Sequence, residues 1–66
     1  MPITINGKQH SLGESRTLQS LLQKHCPEQK RVVAELNGSI IKRDHWPQTE
    51  VKDGDVLELV TFVGGG

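Results

Sequence analysis

The sequence is poor in the residues that usually cross-link or fill the core of a small protein. Its 66 residues include one cysteine, Cys26, so no disulfide can form within the chain. Tyrosine is absent, and Trp46 and Phe62 are the only aromatic residues. We therefore expect a core built mainly from aliphatic side chains. A small domain without disulfides also fits the reducing cytoplasm, where we expect the protein to be located.

Net charge and long apolar runs are absent as well. Eight basic residues balance eight acidic ones, and no basic block is present, which argues against a nucleic-acid partner. No apolar run approaches the roughly 20 residues of a membrane span, and no charged-then-apolar leader occurs at the start. A chain of this length forms one domain with a thin core, because it buries only about 60% of its unfolded surface.

Patterns that hold metals, phosphates or reacting substrates are missing too. The histidines at positions 10, 25 and 45 are scattered, without a His-x-x-x-His pair or a Cys-x-x-Cys pair. No Gly-x-x-x-x-Gly-Lys loop is present. His25 and Cys26 adjoin a proline at the end of a predicted helix, and we interpret both as partly buried structural residues. We expect no metal, no bound cofactor and no catalytic residue in this chain.

Turn-forming residues and the alternation of apolar and polar residues predict five strands in the sequence. Asn6-Gly7 and Asn37-Gly38 each favour a type I′ hairpin turn, because both residues of that turn need a positive φ. The flanking strands are expected at residues 3–5, 8–12, 31–36 and 40–41. The longest apolar run, residues 56–63, predicts a central strand. Residues 42–47 are too irregular for a strand, and we expect one turn there that Trp46 holds against the domain.

One short helix is predicted between the two hairpins. Thr17 is a good N-cap, and Leu18, Leu21, Leu22 and His25 follow it on a single helical face. Pro27 should end the helix, because the residue before a proline is pushed out of helical geometry. About nine residues are too few for a stable isolated helix, so this helix must pack on the sheet.

The resulting order is two strands, a helix, two strands and a last strand. This order is typical of an α+β β-grasp (ubiquitin-like) fold, in which one helix crosses a small mixed sheet. We expect the two terminal strands to be adjacent and parallel. The β-grasp domain should comprise residues 1–63, and residues 64–66 should form a flexible glycine tail.

The tail is the strongest candidate for chemistry. Three glycines follow the best strand directly, and we expect Gly66 to end the protein with a free carboxylate. Three extended residues reach about 10 Å, and without side chains they could enter a narrow active site. The carboxylate of Gly66 could be activated by ATP as an acyl-adenylate and then converted by a sulfur nucleophile to a thiocarboxylate.

The strand before the tail could supply a docking surface. Its alternation places Val60 and Phe62 on the sheet face that the helix leaves open, and Val63 leads from there into the glycines. An exposed apolar patch at this point would suit a partner protein. The alternative is that Phe62 packs against its neighbours in the sheet.

Several stretches, spread over nearly the whole chain, together resemble the ThiS family, the sulfur carrier proteins of thiamine biosynthesis. They are Ile5-Asn6-Gly7, Thr17-Leu18-Gln19-Ser20-Leu21-Leu22, Val33-Ala34-Glu35-Leu36-Asn37-Gly38 with Ile40-Ile41, Arg43-Asp44-His45-Trp46, Val51-Lys52-Asp53-Gly54-Asp55 and Phe62-Val63-Gly64-Gly65-Gly66. The resemblance implies a carrier rather than an enzyme. The family's diglycine corresponds to Gly65-Gly66, and Gly64 lengthens the tail.

The resemblance also implies a set of partners. An E1-like adenylyltransferase would activate Gly66 and consume ATP, and a sulfurtransferase or a cysteine desulfurase would supply sulfur. Thiazole synthase would accept the sulfur. We expect the free carrier to be a monomer.

Three other functions are compatible with this sequence. The small subunit of molybdopterin synthase is a sulfur carrier with the same fold and ending. A ubiquitin-like modifier would be joined to target lysines and would form high-mass adducts with ATP in a cell extract. A β-grasp interaction module with an idle tail would keep its function when Gly65 and Gly66 are deleted.

Overall fold

The computed structural model describes residues 2–27 and 31–61 and contains five strands, one α-helix and one 3₁₀ helix. The strands are β1 (Ile3–Ile5), β2 (Lys8–His10), β3 (Val32–Leu36), β4 (Ser39–Ile41) and β5 (Val56–Thr61). The α-helix α1 is Leu18–His25, and the 3₁₀ helix is Arg43–Gln48. The predicted order of elements is confirmed, although β2 is shorter than expected and ends at His10.

The strands form one mixed sheet in the order β2-β1-β5-β3-β4. β1 and β5 are parallel, and the other neighbouring pairs are antiparallel. The predicted central position of the last strand and its parallel pairing with the first are therefore confirmed. One helix on a mixed five-stranded sheet is the expected α+β, β-grasp arrangement.

Both predicted hairpin turns are present. Asn6 and Gly7 have φ values of 50° and 83°, and Asn37 and Gly38 have values of 51° and 87°. Positive φ at both central residues is what a type I′ turn requires, and its twist matches the twist of the flanking strands. These turns set the register of the two hairpins, because the loop length leaves no alternative pairing.

Helix α1 is fixed at both ends by local hydrogen bonds. The Thr17 hydroxyl accepts from the Ser20 amide at 3.2 Å, and the Ser20 hydroxyl accepts from the Thr17 amide at 3.3 Å, which forms a capping box. The helix ends at His25, two residues before Pro27, as predicted. Its leucines at positions 18, 21 and 22 are fully buried against the sheet.

The core lies between α1 and one face of the sheet. Ile3, Ala34 and Leu57 line that face from the three central strands and are completely buried. The core is mainly aliphatic, as expected, and it also contains Trp46, which is 1% exposed. Its indole N–H donates to the Ile41 carbonyl at 2.9 Å, so the predicted role of Trp46 in holding the 42–47 segment is confirmed.

Replacing Trp46 should therefore cost more stability than its position in an irregular segment suggests. We expect Trp46→Ala to lower the free energy of unfolding by about 3–5 kcal/mol, because it removes a buried indole and leaves a cavity. Denaturant unfolding measures the change. Ile40→Ala is the control, since Ile40 is 68% exposed and its loss should change stability by only about 0.5 kcal/mol. Similar losses in the two variants would contradict this account of the core.

Candidate functional site

The strand that leads into the predicted tail is held on both sides. On one side, β3 pairs with β5 along its length, from Leu36 opposite Leu57 to Val32 opposite Thr61. On the other side, β1 pairs with β5 through Leu57. Because Thr61 is still in register with Val32, the segment that follows it departs from a fixed point near the middle of the sheet.

The two turn asparagines extend this support through their side chains. The Asn6 Oδ1 accepts from the Leu59 amide at 2.7 Å, beyond the point where β1 itself stops pairing. The Asn37 Oδ1 accepts from the Val56 amide at 2.9 Å, and its Nδ2 donates to Asp55 at 3.0 Å. Asn37 thus fixes the first residue of β5, and Asn6 fixes its middle.

Sequence reasoning identified these asparagines as turn residues and missed their second role. Both lie at positive φ, which asparagine tolerates better than most residues. One signal could have revealed that these side chains accept hydrogen bonds from a strand. The first position of each turn is asparagine, whose amide oxygen is a good acceptor, and a neighbouring strand must pass close to each turn. The strand that passes is β5.

The two faces of β5 have different surroundings. Leu57 is completely buried beneath α1, and Leu59 packs at the margin of the core. Val56 and Val60 project from the opposite face and are 44% and 52% exposed. The structure therefore places Val60 on the open face, where the alternation of the sequence put it. Its role in partner binding stays a prediction.

The other residues of the predicted site, Phe62, Val63, Gly64, Gly65 and Gly66, lie outside the described residues. Their assignments as docking residues, tail and modified residue therefore stay predictions. The division into a domain of residues 1–63 and a tail of residues 64–66 also stays a prediction. What the structure does describe is the strand from which these residues continue.

His25 is the last residue of α1, and Cys26 is its C-cap. The His25 ring lies edge-on against the His10 ring, with centroids 4.8 Å apart. The pKa of His25 is lowered from its ordinary value of 6.5 by burial first, then by His10 and by Lys24. The folded state therefore favours the neutral ring. The free energy of unfolding has its full value above pH 6.5 and decreases as the pH falls below 6.5, because the unfolded chain takes up a proton at His25 more readily than the folded protein does.

Cys26 is the C-cap residue, partly buried, and its amide donates to the Leu22 carbonyl at 2.7 Å. Within residues 2–27 and 31–61, no group of three histidine, cysteine or acidic side chains could hold a metal ion. The helices in the described part of the chain are also too short and too polar to cross a membrane.

The hydrogen bond from Leu59 to Asn6 can be tested by substitution. Asn6→Gly keeps a residue that accepts positive φ but removes the acceptor, so we expect a loss of about 1 kcal/mol in stability. Hydrogen exchange at the Leu59 amide should become faster. Asn6→Asp is the control, because it retains an acceptor oxygen and should keep the amide protected. Unchanged exchange in Asn6→Gly would show that the side chain does not support β5.

Comparison with known proteins gives a consistent set of matches. The model of the ThiS family matches residues 2–66. The Sulfur carrier protein ThiS of Bacillus subtilis is 42% identical over 53 residues, which are 80% of each chain. A solved structure of the thiamine biosynthesis protein ThiS from Geobacter metallireducens covers all of both chains, with 35% identity and a TM-score of 0.82.

A longer relative also matches. The protein named Thiazole synthase from Paramagnetospirillum magneticum is 36% identical over all 66 residues of this chain. The chain spans only 20% of that protein's length. A second Thiazole synthase, from Magnetococcus marinus, is 30% identical over the whole chain and is again covered to 20%.

Proposed function

Because this chain belongs to the ThiS family, the sulfur carrier proteins of thiamine biosynthesis, we propose that it carries sulfur as a thiocarboxylate on Gly66. The observation that supports this most strongly is the placement of β5. The strand that precedes residues 62–66 is paired with β3 along its length and with β1 at its first two residues, and its backbone also bonds to Asn6 and Asn37. A rigid domain can thus present a short segment to another protein.

The proposed chemistry needs a carboxylate and two reagents. A carboxylate oxygen of Gly66 attacks the α-phosphate of ATP, and pyrophosphate leaves, so that an acyl-adenylate forms. A hydrosulfide equivalent then attacks the carbonyl carbon, and AMP leaves with the bonding electrons. The product is a thiocarboxylate in which sulfur has replaced one oxygen. No oxidation or reduction occurs at Gly66 in either step.

Glycine suits the end of such a carrier for steric reasons. The acyl-adenylate must form inside another protein's active site, so the last residues must be thin and long enough to reach it. Three extended residues span about 10 Å and place no Cβ against the walls of a channel. In this proposal Gly66 supplies the reacting atoms, and Gly64 and Gly65 provide the reach.

The partners are the ones that the family resemblance implies. An E1-like adenylyltransferase binds ATP and activates Gly66, so the carrier itself holds no cofactor. A sulfurtransferase or a cysteine desulfurase supplies the sulfur, and thiazole synthase accepts it in the cytoplasm. The relatives named Thiazole synthase support this acceptor, because each contains a segment similar to the whole of this chain. Val60, Phe62 and Val63 would contact the partners beside the tail.

Deleting Gly65 and Gly66 should separate the fold from the function. The five strands and α1 lie within residues 3–61, so we expect the free energy of unfolding to be unchanged. Thiazole formation in a reaction reconstituted with adenylyltransferase, sulfur source and thiazole synthase should be lost completely. Glu14→Gln is the control, because Glu14 is exposed in a turn outside the strands and far along the chain from the tail, and this variant should retain activity. Thiazole formation by the truncated protein would contradict the proposal.

A further inference from the structure

The chain contains two asparagines, Asn6 and Asn37, and a glycine follows each of them. All four residues of these two pairs are exposed. Apart from the adjoining residues, no heavy atom lies within 4 Å of the position that a Cβ would take on Gly7 or Gly38. An asparagine before glycine is prone to deamidation, because glycine has no side chain to hinder its backbone nitrogen as that nitrogen attacks the asparagine. Both hairpin turns are therefore candidate sites of modification.

Deamidation at such a pair consumes one water and releases ammonia. The glycine nitrogen forms a bond to the asparagine Cγ, the bond from Cγ to Nδ2 breaks, and ammonia leaves with the proton from the glycine nitrogen. Water then adds its hydroxyl to either carbonyl carbon of the succinimide ring and its remaining hydrogen to the ring nitrogen. The product is aspartate or isoaspartate, and in isoaspartate the main chain runs through the former side-chain carbonyl. No atom is oxidised or reduced.

Both asparagines are anchored to β5 in a similar way. The Asn6 amide donates to the Leu57 carbonyl at 2.9 Å, and its Oδ1 accepts from the Leu59 amide at 2.7 Å. The Asn37 amide donates to the Val56 carbonyl at 2.7 Å, and its Oδ1 accepts from the Val56 amide at 2.9 Å. Because each Oδ1 accepts one backbone hydrogen bond, these bonds restrain the two side chains to a similar degree.

A carboxylate distinguishes the two sites. The Asn37 Nδ2 donates to the Asp55 Oδ1 at 3.0 Å, and the Asp55 Oδ2 accepts from the Lys52 amide at 2.8 Å, which holds the carboxylate in place. Among residues 2–27 and 31–61, no such acceptor bonds to the Asn6 Nδ2. Nδ2 is the atom that must leave, and a hydrogen bond to a carboxylate is stronger than one between neutral groups. The carboxylate also repels the negative oxygen that forms at Cγ during the attack.

We propose that Asn6 is a deamidation site of the folded protein and that Asp55 protects Asn37 from the same reaction. The reaction requires no chemistry at Gly66, so it is independent of the proposed function. Isoaspartate at residue 6 adds one atom to the main chain of a two-residue turn and converts the acceptor of the Leu59 bond into a main-chain carbonyl. The modification thus loosens the middle of β5, the strand before residues 62–66.

Timed peptide mapping of the wild-type protein tests this proposal. The folded protein is incubated in mildly alkaline buffer, and deamidation at each asparagine is measured by mass spectrometry of the fragments. We expect Asn37 to react about tenfold more slowly than Asn6, because it must also break a hydrogen bond to a charged group. In guanidinium chloride the two rates should become similar, since both asparagines lie between an aliphatic residue and glycine. Equal rates in the folded protein, or no reaction at Asn6 while the unfolded chain reacts, would overturn the proposal.

The variant Asp55→Ala tests the protecting group separately. We expect the ratio of the Asn37 rate to the Asn6 rate to rise about tenfold, because the bond to the carboxylate is lost. The ratio cancels any general increase in both rates that lower stability would cause. Asp53→Ala is the control, because it removes an exposed carboxylate from the same turn and should leave the ratio unchanged. A ratio that Asp55→Ala does not change would overturn the protecting role of Asp55.

Hydrogen exchange measures the effect of the modification on β5. Exchange at the Leu59 amide should become faster in protein that carries isoaspartate at residue 6, because the acceptor of that amide has moved into the main chain. The variant Asn6→Asp is the matched control, since it has the other deamidation product and keeps the acceptor oxygen on a side chain. Exchange as slow in the isoaspartate form as in this variant would overturn the loosening of β5.

Discussion

The pairing of β5 with β1 on one side and β3 on the other is the constraint on which the rest of the structure depends. In most small domains the last residues fray, because few contacts hold them. Here the last strand occupies the middle of the sheet, so opening it would break hydrogen bonds to both neighbours. Regions paired in this way open only at a free energy close to that of global unfolding. The chain therefore enters residues 62–66 from a strand that is paired on both sides at its beginning and with β3 at its end.

The central strand also divides the molecule into a core side and an open side. On the core side, Leu57 packs under α1 with Trp46 and the helix leucines. On the other side, Val56, Glu58 and Val60 are exposed beside the pairing partner of Glu58, Glu35.

Local patterns explain why much of the fold could be predicted. Each Asn-Gly pair defines its own hairpin turn, and the spacing of Leu18, Leu21 and Leu22 defines the buried face of α1. The apolar run at residues 56–63 predicted a central strand. The alternating direction of side chains along a strand predicted that Val60 lies on the open face. These are properties of short segments, so the sequence contains them directly.

Long-range pairing explains what could not be predicted. The bond between Asn6 and Leu59 joins residues 53 apart, and the bond between Asn37 and Val56 joins residues 19 apart. The opposition of Glu35 and Glu58 depends on the exact register of β3 and β5, which no local pattern specifies. The contact of Trp46 with the domain was predicted, but its complete burial could not be read from spacing, because its segment has no periodicity. The tail at residues 64–66 was predicted from composition and from its place after β5.

The central claim is that sulfur is carried on the carboxylate of Gly66, and intact-mass spectrometry tests it most directly. The protein is incubated with ATP, the cognate adenylyltransferase and an isotopically labelled sulfur source, and is then fragmented. The account predicts that one oxygen is replaced by labelled sulfur in the C-terminal fragment that contains Gly66. Labelled sulfur found on Cys26 instead, or an unchanged C-terminal fragment with an adenylyltransferase that releases pyrophosphate, would contradict it.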